Sequence, residues 1–307
     1  DDMVSRGLGD VYKRQTVILS AIFAGVVATL VTIAIEKFGG TLGGVLGTIP
    51  TTIVPASYGI WISSTETEFL ESMSVIPLGM LINAVFLSIW VIGPKLIKDD
   101  GLIGGLSITL LSLLVWSICG IIIVKATEIG KSAGLTEITI GFAGLILLAI
   151  LGVSFTWKAN PAPKGKNKPT LLVLTSRGFM AAFAIGVAVL LSSLGYPLLS
   201  GLASVFPAIF LTTMVALWIS QDSSVSIGAA GPMMLGGASV AVFALIAMIA
   251  YPAIGVIFGI IIAWIASILL WSVPTYFFLR KRKSVASEQF EKEMLSRYQP
   301  GAAQKVN

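Results

Sequence analysis

Long apolar runs, separated by short polar segments, dominate the pattern along this chain. A run of about 20 apolar residues is long enough to cross a bilayer as a helix. Nine runs meet that criterion and predict nine transmembrane helices, near residues 16–35, 40–62, 72–93, 102–124, 138–157, 174–195, 197–219, 226–250 and 252–279. The pattern therefore predicts an all-α polytopic membrane protein.

Composition supports the membrane class and removes most catalytic chemistry. The 307 residues are 56% hydrophobic and 11% charged, too little charge to cover the surface of a soluble domain. The chain has no histidine and one cysteine, Cys119, so it lacks the commonest general base and cannot form an internal disulfide. No nucleophile, phosphate-loop or metal-ligand motif is present, and we expect neither enzymatic activity, nor a cofactor, nor a metal site.

The charged residues predict an orientation in the membrane. Residues 1–15 are polar and without pattern and resemble a non-native linker, so they are set aside and the native N-terminus is left open. Beyond them, fifteen Lys and Arg fall on one set of loops and only Lys125 and Lys131 on the other. The positive-inside rule then predicts that the basic linker 158–173 and the tail 280–307 are cytoplasmic. We expect a multi-pass protein of a bacterial inner membrane with its C-terminus in the cytoplasm.

The two halves of the chain resemble each other at an offset of 157 residues. Thirteen of the 66 positions from 24–89 are identical to those of 181–246, including WIS at 61–63 and AVF at 84–86. A composition this skewed gives about six identities by chance. The comparison predicts two repeats of four helices each, 16–124 and 174–279.

The helix predicted over 138–157 has no counterpart in either repeat. It makes the number of spans per repeat unit odd, four plus one, so the second repeat enters the membrane from the opposite side. Inverted repeats of this kind are common in secondary transporters, where they surround a central site.

One segment of each repeat is rich in helix-breaking residues. It reads GGTLGGVLGTIPTTIVPASYGIWI at 39–62, and GYPLLSGLASVFPAIFLTTMVALWIS at 195–220. Proline removes a backbone N–H and glycine eases unwinding. Half-helices are therefore predicted to begin near 48–50 and near 204–207. Non-helical backbone at membrane depth is tolerated where it lines a cavity or is buried in protein, and a half-helix N-terminus attracts anionic groups.

Polar and small residues near these breaks are the candidate substrate contacts. They are Gly44, Gly47, Thr48, Pro50, Thr51, Thr52 and Tyr58 in the first repeat, Gly201, Ser204, Pro207, Thr212 and Thr213 in the second, and the mid-span residues Asn83 and Ser239. A buried amide such as that of Asn83 needs a partner in the protein interior or a cavity. Alternatives stay open, because the glycines also suit close helix packing, the prolines suit simple kinks, and the hydroxyls can bond to their own helix.

Charges and tryptophans near the membrane surfaces have simpler interpretations. No Asp, Glu, Lys or Arg falls in the middle of a predicted span, which disfavours a proton antiporter based on carboxylates. Arg177 is close enough to a helix end for its side chain to extend to the surface. Trp61, Trp157, Trp218 and Trp271 lie at or near predicted span ends, where an aromatic belt explains them.

The segments SGLASVFPAIFLTTMVALWIS and GAAGPMMLGGASVAVFALI of the second repeat resemble the small GlpM-type inner-membrane proteins, which consist of one unit of about four spans. The first repeat departs from that motif, with Ile49 in place of the phenylalanine. The resemblance implies duplication of a small membrane unit and implies no substrate.

The sequence thus favours a secondary transporter or facilitator of a small polar or anionic solute, working by alternating access between the repeats. The alternative is a membrane scaffold or assembly subunit that transports nothing. The lipid bilayer and the solute are the expected partners, a homodimer is left open, and nucleic acid is not expected.

Overall fold

The computed structural model describes residues 14–30, 33, 49–97, 101–157, 171–220, 223–282 and 284. This part of the chain is helical and contains no strand. The helices, numbered in chain order, are α1 (Arg14–Leu30), α2 (Ile53–Ser63), α3 (Glu66–Leu96), α4 (Leu102–Ser132), α5 (Glu137–Trp157), α6 (Leu171–Ser193), α7 (Pro197–Ser204), α8 (Ala208–Ser220), α9 (Ser223–Ile254) and α10 (Val256–Arg282). A π-helical turn, Ile268–Ser272, interrupts α10.

Seven helical stretches in the described ranges are long and apolar enough to cross a membrane, counting α7 and α8 together as one. Two further apolar helices, α1 and α2, are shorter. The predicted class, an all-α membrane protein, is confirmed. The count of nine spans stays a prediction, because α1 and α2 adjoin residues 31–48, most of which lie outside the described part of the chain.

The two most buried of the long helices, α3 and α9, form the centre of the molecule. Their most apolar stretches are 61% and 72% buried, against 17% for that of α4. Phe69 near the start of α3 stacks on Tyr251 near the end of α9, with ring centroids 4.9 Å apart. Midway along both helices, the Met80 side chain lies against Gly237. The two central helices therefore run antiparallel.

Helix α5, which corresponds to the linking helix predicted over 138–157, lies across both central helices. Its buried face carries Gly141, Gly144 and Gly152. A Cβ atom at Gly144 would lie 2.8 Å from the backbone nitrogen of Leu78 in α3, and one at Gly152 would lie 3.2 Å from Cα of Leu235 in α9. The glycines thus let α5 approach the backbones of α3 and α9 closely.

Helices α1 and α6 form a second antiparallel pair at the periphery. A Cβ at Gly25 would lie 2.9 Å from the carbonyl oxygen of Gly178 and 3.1 Å from Cβ of Ala182, while a Cβ at Gly186 would lie 3.3 Å from that of Ala21. Small residues therefore line this contact, while the outer side carries exposed apolar side chains suited to lipid.

Charged residues separate onto two faces of the helix bundle. The acidic face is the side with the start of α3 and the end of α4, and the basic face is the side with the end of α3 and the end of α10. The acidic face carries Glu66, Glu68, Glu71, Glu128 and Glu137. The basic face carries Lys95, Arg280, Lys281 and Arg282.

Side-chain contacts hold the helix ends together at both faces. On the acidic face, Lys131 at the end of α4 pairs with Glu71 of α3 and lies 3.6 Å from Glu137 of α5. On the basic face, the Arg282 guanidinium lies 3.6 Å from the ring centroid of Trp157, joining the ends of α5 and α10. These contacts show that α3, α4 and α5 alternate in direction between the two faces, and that α10 ends on the same face as α5.

Two glycines reverse the chain where almost no loop is available. Gly195 between α6 and α7 has φ of 77°, and Gly255 between α9 and α10 has φ of 81°. This left-handed conformation is readily adopted only by glycine. The apolar runs that are nearly continuous in sequence are separated into distinct helices at these two positions.

Candidate site at the break between α7 and α8

The apolar segment 197–219 is interrupted at Val205, Phe206 and Pro207. The chain tightens before the break, since Val205 N donates to Leu202 O at 3.2 Å and Phe206 N to Ala203 O at 3.1 Å. Pro207 has no N–H with which to continue the helix, and α8 begins at the next residue. The break predicted from the Gly and Pro pattern is thus present in this segment.

Side chains satisfy the backbone groups that the break releases. The Ser204 hydroxyl donates to Gly201 O at 2.7 Å, which offsets the loss of a helical donor from Val205. The Asn83 amide, from α3, donates through Nδ2 to Val205 O at 2.7 Å. Buried backbone carbonyls are rarely left without a donor, so Asn83 contributes directly to the stability of the broken conformation.

Asn83 is itself fully engaged and only 2% exposed. Its Oδ1 accepts a hydrogen bond of 2.7 Å from Trp116 Nε1 of α4, and its Nδ2 also lies 3.5 Å from the Met80 sulfur. The Trp116 ring packs edge-on against Phe206, with centroids 5.3 Å apart. We call Asn83, Trp116, Val205 and Phe206 the break cluster. It connects three helices at the point where the helix is interrupted.

Glycines bring α7 against α3. A Cβ at Gly201 would overlap the Ser72 carbonyl, and a Cβ at Gly79 would overlap the Val205 side chain. The Ser72 hydroxyl also donates to Pro197 O at 2.9 Å. Close packing therefore accounts for Gly201, a candidate of the predicted second repeat, and this is one of the alternatives that the sequence left open.

Most of the remaining candidates in the second repeat are occupied locally. The Thr212 hydroxyl donates to Ala208 O at 2.8 Å, within its own helix. Thr213 Oγ1 instead accepts a hydrogen bond of 2.8 Å from Arg177 Nη2 of α6. Arg177 therefore reaches α8, whereas the sequence predicted that it would extend to the surface. Ser239 is buried within α9, at 1% exposure.

The structure describes only some of the candidates in the predicted first repeat. Gly44, Gly47 and Thr48 lie outside the described residues, so the break predicted there stays a prediction. Pro50 is buried and Thr51 and Thr52 are half-buried just before α2 begins at Ile53. Tyr58 is 41% exposed and lies on the outer side of α2, apart from the buried residues.

The break cluster is closely packed. Two open apolar grooves between α1 and α6 have volumes of about 450 and 360 Å³. Neither includes Asn83 or the break. No group of three or more Cys, Asp or Glu residues suited to a metal ion occurs among the described residues.

Sequence reasoning missed the partners of Asn83 and misplaced one tryptophan. Trp116 falls in the middle of a span, where an interfacial belt cannot explain an indole, and that position was the available signal. Trp218, assigned to the belt, is 6% exposed and packs edge-on against Trp90 at 6.0 Å. Trp157 is 57% exposed, as expected for a belt residue.

Fold and site together define an all-α membrane protein with an interrupted helix at its core. Comparison with known protein families, with curated proteins and with solved structures gave no match to this chain. The resemblance to GlpM-type proteins therefore stays a prediction.

Proposed function

We propose that the protein is a secondary transporter or facilitator that moves a small polar or anionic solute by alternating access between two inverted repeats. One observation carries the proposal: Asn83, in the proposed first repeat, holds the carbonyl of Val205 at the helix break of the proposed second repeat. Interrupted helices at the interface of two repeats are typical of transport sites.

Contacts between equivalent residues support a two-fold relation between the repeats. Met80 lies against Gly237, and Gly25 against Ala182. The members of each pair are 157 residues apart, which is the offset of the sequence repeat. In an antiparallel pair of equivalent helices, a residue touches its own counterpart only where a two-fold axis passes. Two such contacts, in different helix pairs, favour a single axis through both.

The direction of that axis favours inverted topology. Helices α1 and α6 run antiparallel, and so do α3 and α9. An axis that exchanges antiparallel spans lies across them, in the plane of the membrane. The helix bounds agree with the offset of the sequence repeat, because α9 begins 157 residues after α3 begins and ends 158 residues after α3 ends.

The break cluster supplies the chemistry for a polar solute. In the packed conformation, Asn83, Trp116 and the Val205 carbonyl bond to one another. Separation of the break from α3 would release the Asn83 amide N–H and the Val205 carbonyl at membrane depth, where water competes little. Arg177, which contacts Thr213 between the break and the basic face, favours a solute with anionic character.

A flux assay in proteoliposomes tests the proposal. Purified protein is reconstituted, and uptake of a panel of small neutral and anionic metabolites is compared with protein-free vesicles. We expect at least one solute to cross faster with protein, and Asn83→Ala to lower that rate roughly tenfold or more through loss of a contact worth about 1.4 kcal/mol.

The matched control is Ser154→Ala. The Ser154 hydroxyl is exposed and bonds only to Ile150 O of its own helix at 2.7 Å, so its loss should leave flux unchanged. Flux equal to that of protein-free vesicles for every solute would contradict the transport proposal.

A membrane scaffold is the second candidate, and the close packing of the break cluster favours it. Every polar atom of Asn83 is engaged within the protein, as in a purely structural network. If the protein is a scaffold, we expect no flux for any solute, and we expect Asn83→Ala to lower the thermal stability of the protein. The flux panel therefore separates the two candidates.

A further inference from the structure

An aromatic cluster closes the acidic-face end of the bundle. Trp61 at the end of α2 packs edge-on against Phe69 of α3, with ring centroids 4.9 Å apart, and against Tyr251 of α9, at 5.6 Å. The Tyr251 hydroxyl lies 2.8 Å from the Ser57 hydroxyl. We call these four residues the acidic-face closure, which ties α2 to both central helices.

A second aromatic cluster closes the opposite end. Trp218 near the end of α8 packs edge-on against Trp90 of α3 at 6.0 Å. Its Nε1 donates to the carbonyl of Gly101, just before α4, at 3.1 Å. A Cβ at Gly105 would lie 2.7 Å from the Trp218 ring, so the indole fills the space beside that glycine. These residues form the basic-face closure.

The two closures correspond through the sequence repeat. Trp61 and Trp218 are 157 residues apart, and both belong to the identical WIS triplet. Each ends the half-helix that follows a predicted break. Each packs against an aromatic residue in the last two turns of a central helix from the opposite repeat, Tyr251 or Trp90.

The closures differ in how well their polar groups are satisfied. The Tyr251 hydroxyl has the Ser57 hydroxyl as a partner. The Trp90 indole N–H is buried and has no hydrogen-bond acceptor among the described residues.

We propose that the acidic-face and basic-face closures are the two gates of the molecule, and that each half-helix carries one gate tryptophan. This inference rests on the proposed transport function. Both gates are shut here, which accounts for the closely packed break cluster between them. Opening of one gate at a time gives access to Ser204 and Asn83 from one face only.

Cysteine accessibility tests the gates independently of any solute. In a Cys119→Ala background, which removes the chain's single cysteine, Ser204→Cys places a reporter thiol at the break. A membrane-impermeant maleimide is then applied separately to each side of the membrane. Single cysteines at the exposed positions Glu66 and Lys281, in the same background, establish which side is the acidic face and which the basic face.

The parent reporter should label slowly from both sides. Trp61→Ala should raise its labelling rate roughly tenfold from the acidic-face side alone, and Trp218→Ala by a similar factor from the basic-face side alone, a factor that corresponds to about 1.4 kcal/mol of weakened closure. Phe277→Ala is the matched control. It removes an exposed aromatic side chain near the basic-face end of α10 that belongs to neither closure, and it should change neither rate.

Tyr251→Phe provides a milder variant should the alanine substitutions impair folding. It removes only the hydrogen bond to Ser57 and should raise labelling from the acidic-face side by a smaller factor. Unchanged labelling in folded Trp61→Ala and Trp218→Ala proteins, or faster labelling of both from the same side, would overturn the gate assignment.

The two proposals fail separately. Side-specific labelling with no flux for any solute supports the gates and contradicts transport. If flux persists in Trp61→Ala and Trp218→Ala while the Ser204→Cys reporter labels no faster from either side, the result supports transport and contradicts the gates.

Discussion

At the scale of single residues, Asn83 has the most demanding position in the described structure. Its side chain is 2% exposed, and it serves as donor to Val205 O and acceptor for Trp116 Nε1 at the same time. A neutral amide can do both at once, because its NH₂ group and its carbonyl oxygen are separate atoms that reach different partners. This dual requirement explains why a strongly polar residue stands in the middle of an apolar helix.

Replacement of Asn83 by alanine should destabilise the protein. The change leaves the Val205 carbonyl and the Trp116 indole N–H buried without partners, and we expect a loss of about 1–3 kcal/mol in the free energy of unfolding. The measurement is thermal unfolding of purified protein in detergent, with Ser154→Ala as the control of unchanged stability. An Asn83→Ala protein that unfolds at the parental temperature would contradict the role given to the break cluster.

At this scale the sequence identified the right residue type but not the partners. The polarity of Asn83 within an apolar run and the Gly201 to Pro207 pattern are properties of the sequence itself. Trp116 is 33 positions away in the chain, and its hydrogen bond depends on how α3 packs against α4. For Ser204 and Thr212, bonds to their own helices prevailed, the outcome that short hydroxyl side chains favour locally.

At the scale of helices, proline alone does not determine where a helix breaks. Pro77 and Pro94 lie inside the continuous helix α3, and Pro232 and Pro252 lie inside α9. At Pro207 the chain does break, and there a side chain from another helix satisfies the released carbonyl. The difference lies in tertiary contacts, which explains why the sequence could propose a break but could not distinguish it from a kink.

Helix α5 depends on its glycines for its place across the central helices. Gly144→Ala should therefore force α5 away from α3, because the new Cβ would lie 2.8 Å from Leu78 N and 3.0 Å from the Pro77 carbonyl carbon. We expect overpacking to cost about 1–3 kcal/mol of stability, measured by thermal unfolding in detergent.

Ala143→Val tests whether position on the helix, rather than added volume, produces that effect. Ala143 is exposed on the other side of α5, and its substitution should leave stability nearly unchanged. Equal losses from the two substitutions would argue against the close approach of α5 to α3.

At the scale of the whole molecule, the offset of 157 residues found in the sequence also relates pairs of residues that touch in the structure. Residues that touch their own counterparts mark the axis between the proposed repeats, as for Gly25 and Ala182. Alternation of loop charge and the linking helix predicted opposite orientations from sequence. The location of the axis depends on which helices pair, and that information is absent from a comparison of the two halves.

Disulfide cross-linking can test this axis. In the Cys119→Ala background, the pair Gly25→Cys and Ala182→Cys should form an intramolecular disulfide on mild oxidation. A Cβ at Gly25 would lie 3.1 Å from that of Ala182 and 2.9 Å from Gly178 O, so a small separation of α1 from α6 relieves the second contact and gives the Cβ–Cβ distance of a disulfide. The cross-link is read from electrophoretic mobility and peptide mass.

A second pair with the same offset serves as control. Leu19→Cys and Ser176→Cys are also 157 residues apart but lie six residues from the axis in opposite directions. Their separation along the helices is about 18 Å, and no disulfide should form. Cross-linking of both pairs with equal efficiency would indicate parallel helices and an axis along the membrane normal.

The position of α5 has a consequence for the energetics of any motion between the proposed repeats. Two like halves alone would make the inward-open and outward-open arrangements nearly degenerate. Helix α5 occurs once, and it meets Leu78 through Gly144 and the equivalent Leu235 through Gly152. An axis through Leu148, midway between the two glycines, would exchange these two contacts as it exchanges the halves. The single linking helix thus preserves the near-degeneracy, and a preferred side has to come from residues in which the halves differ.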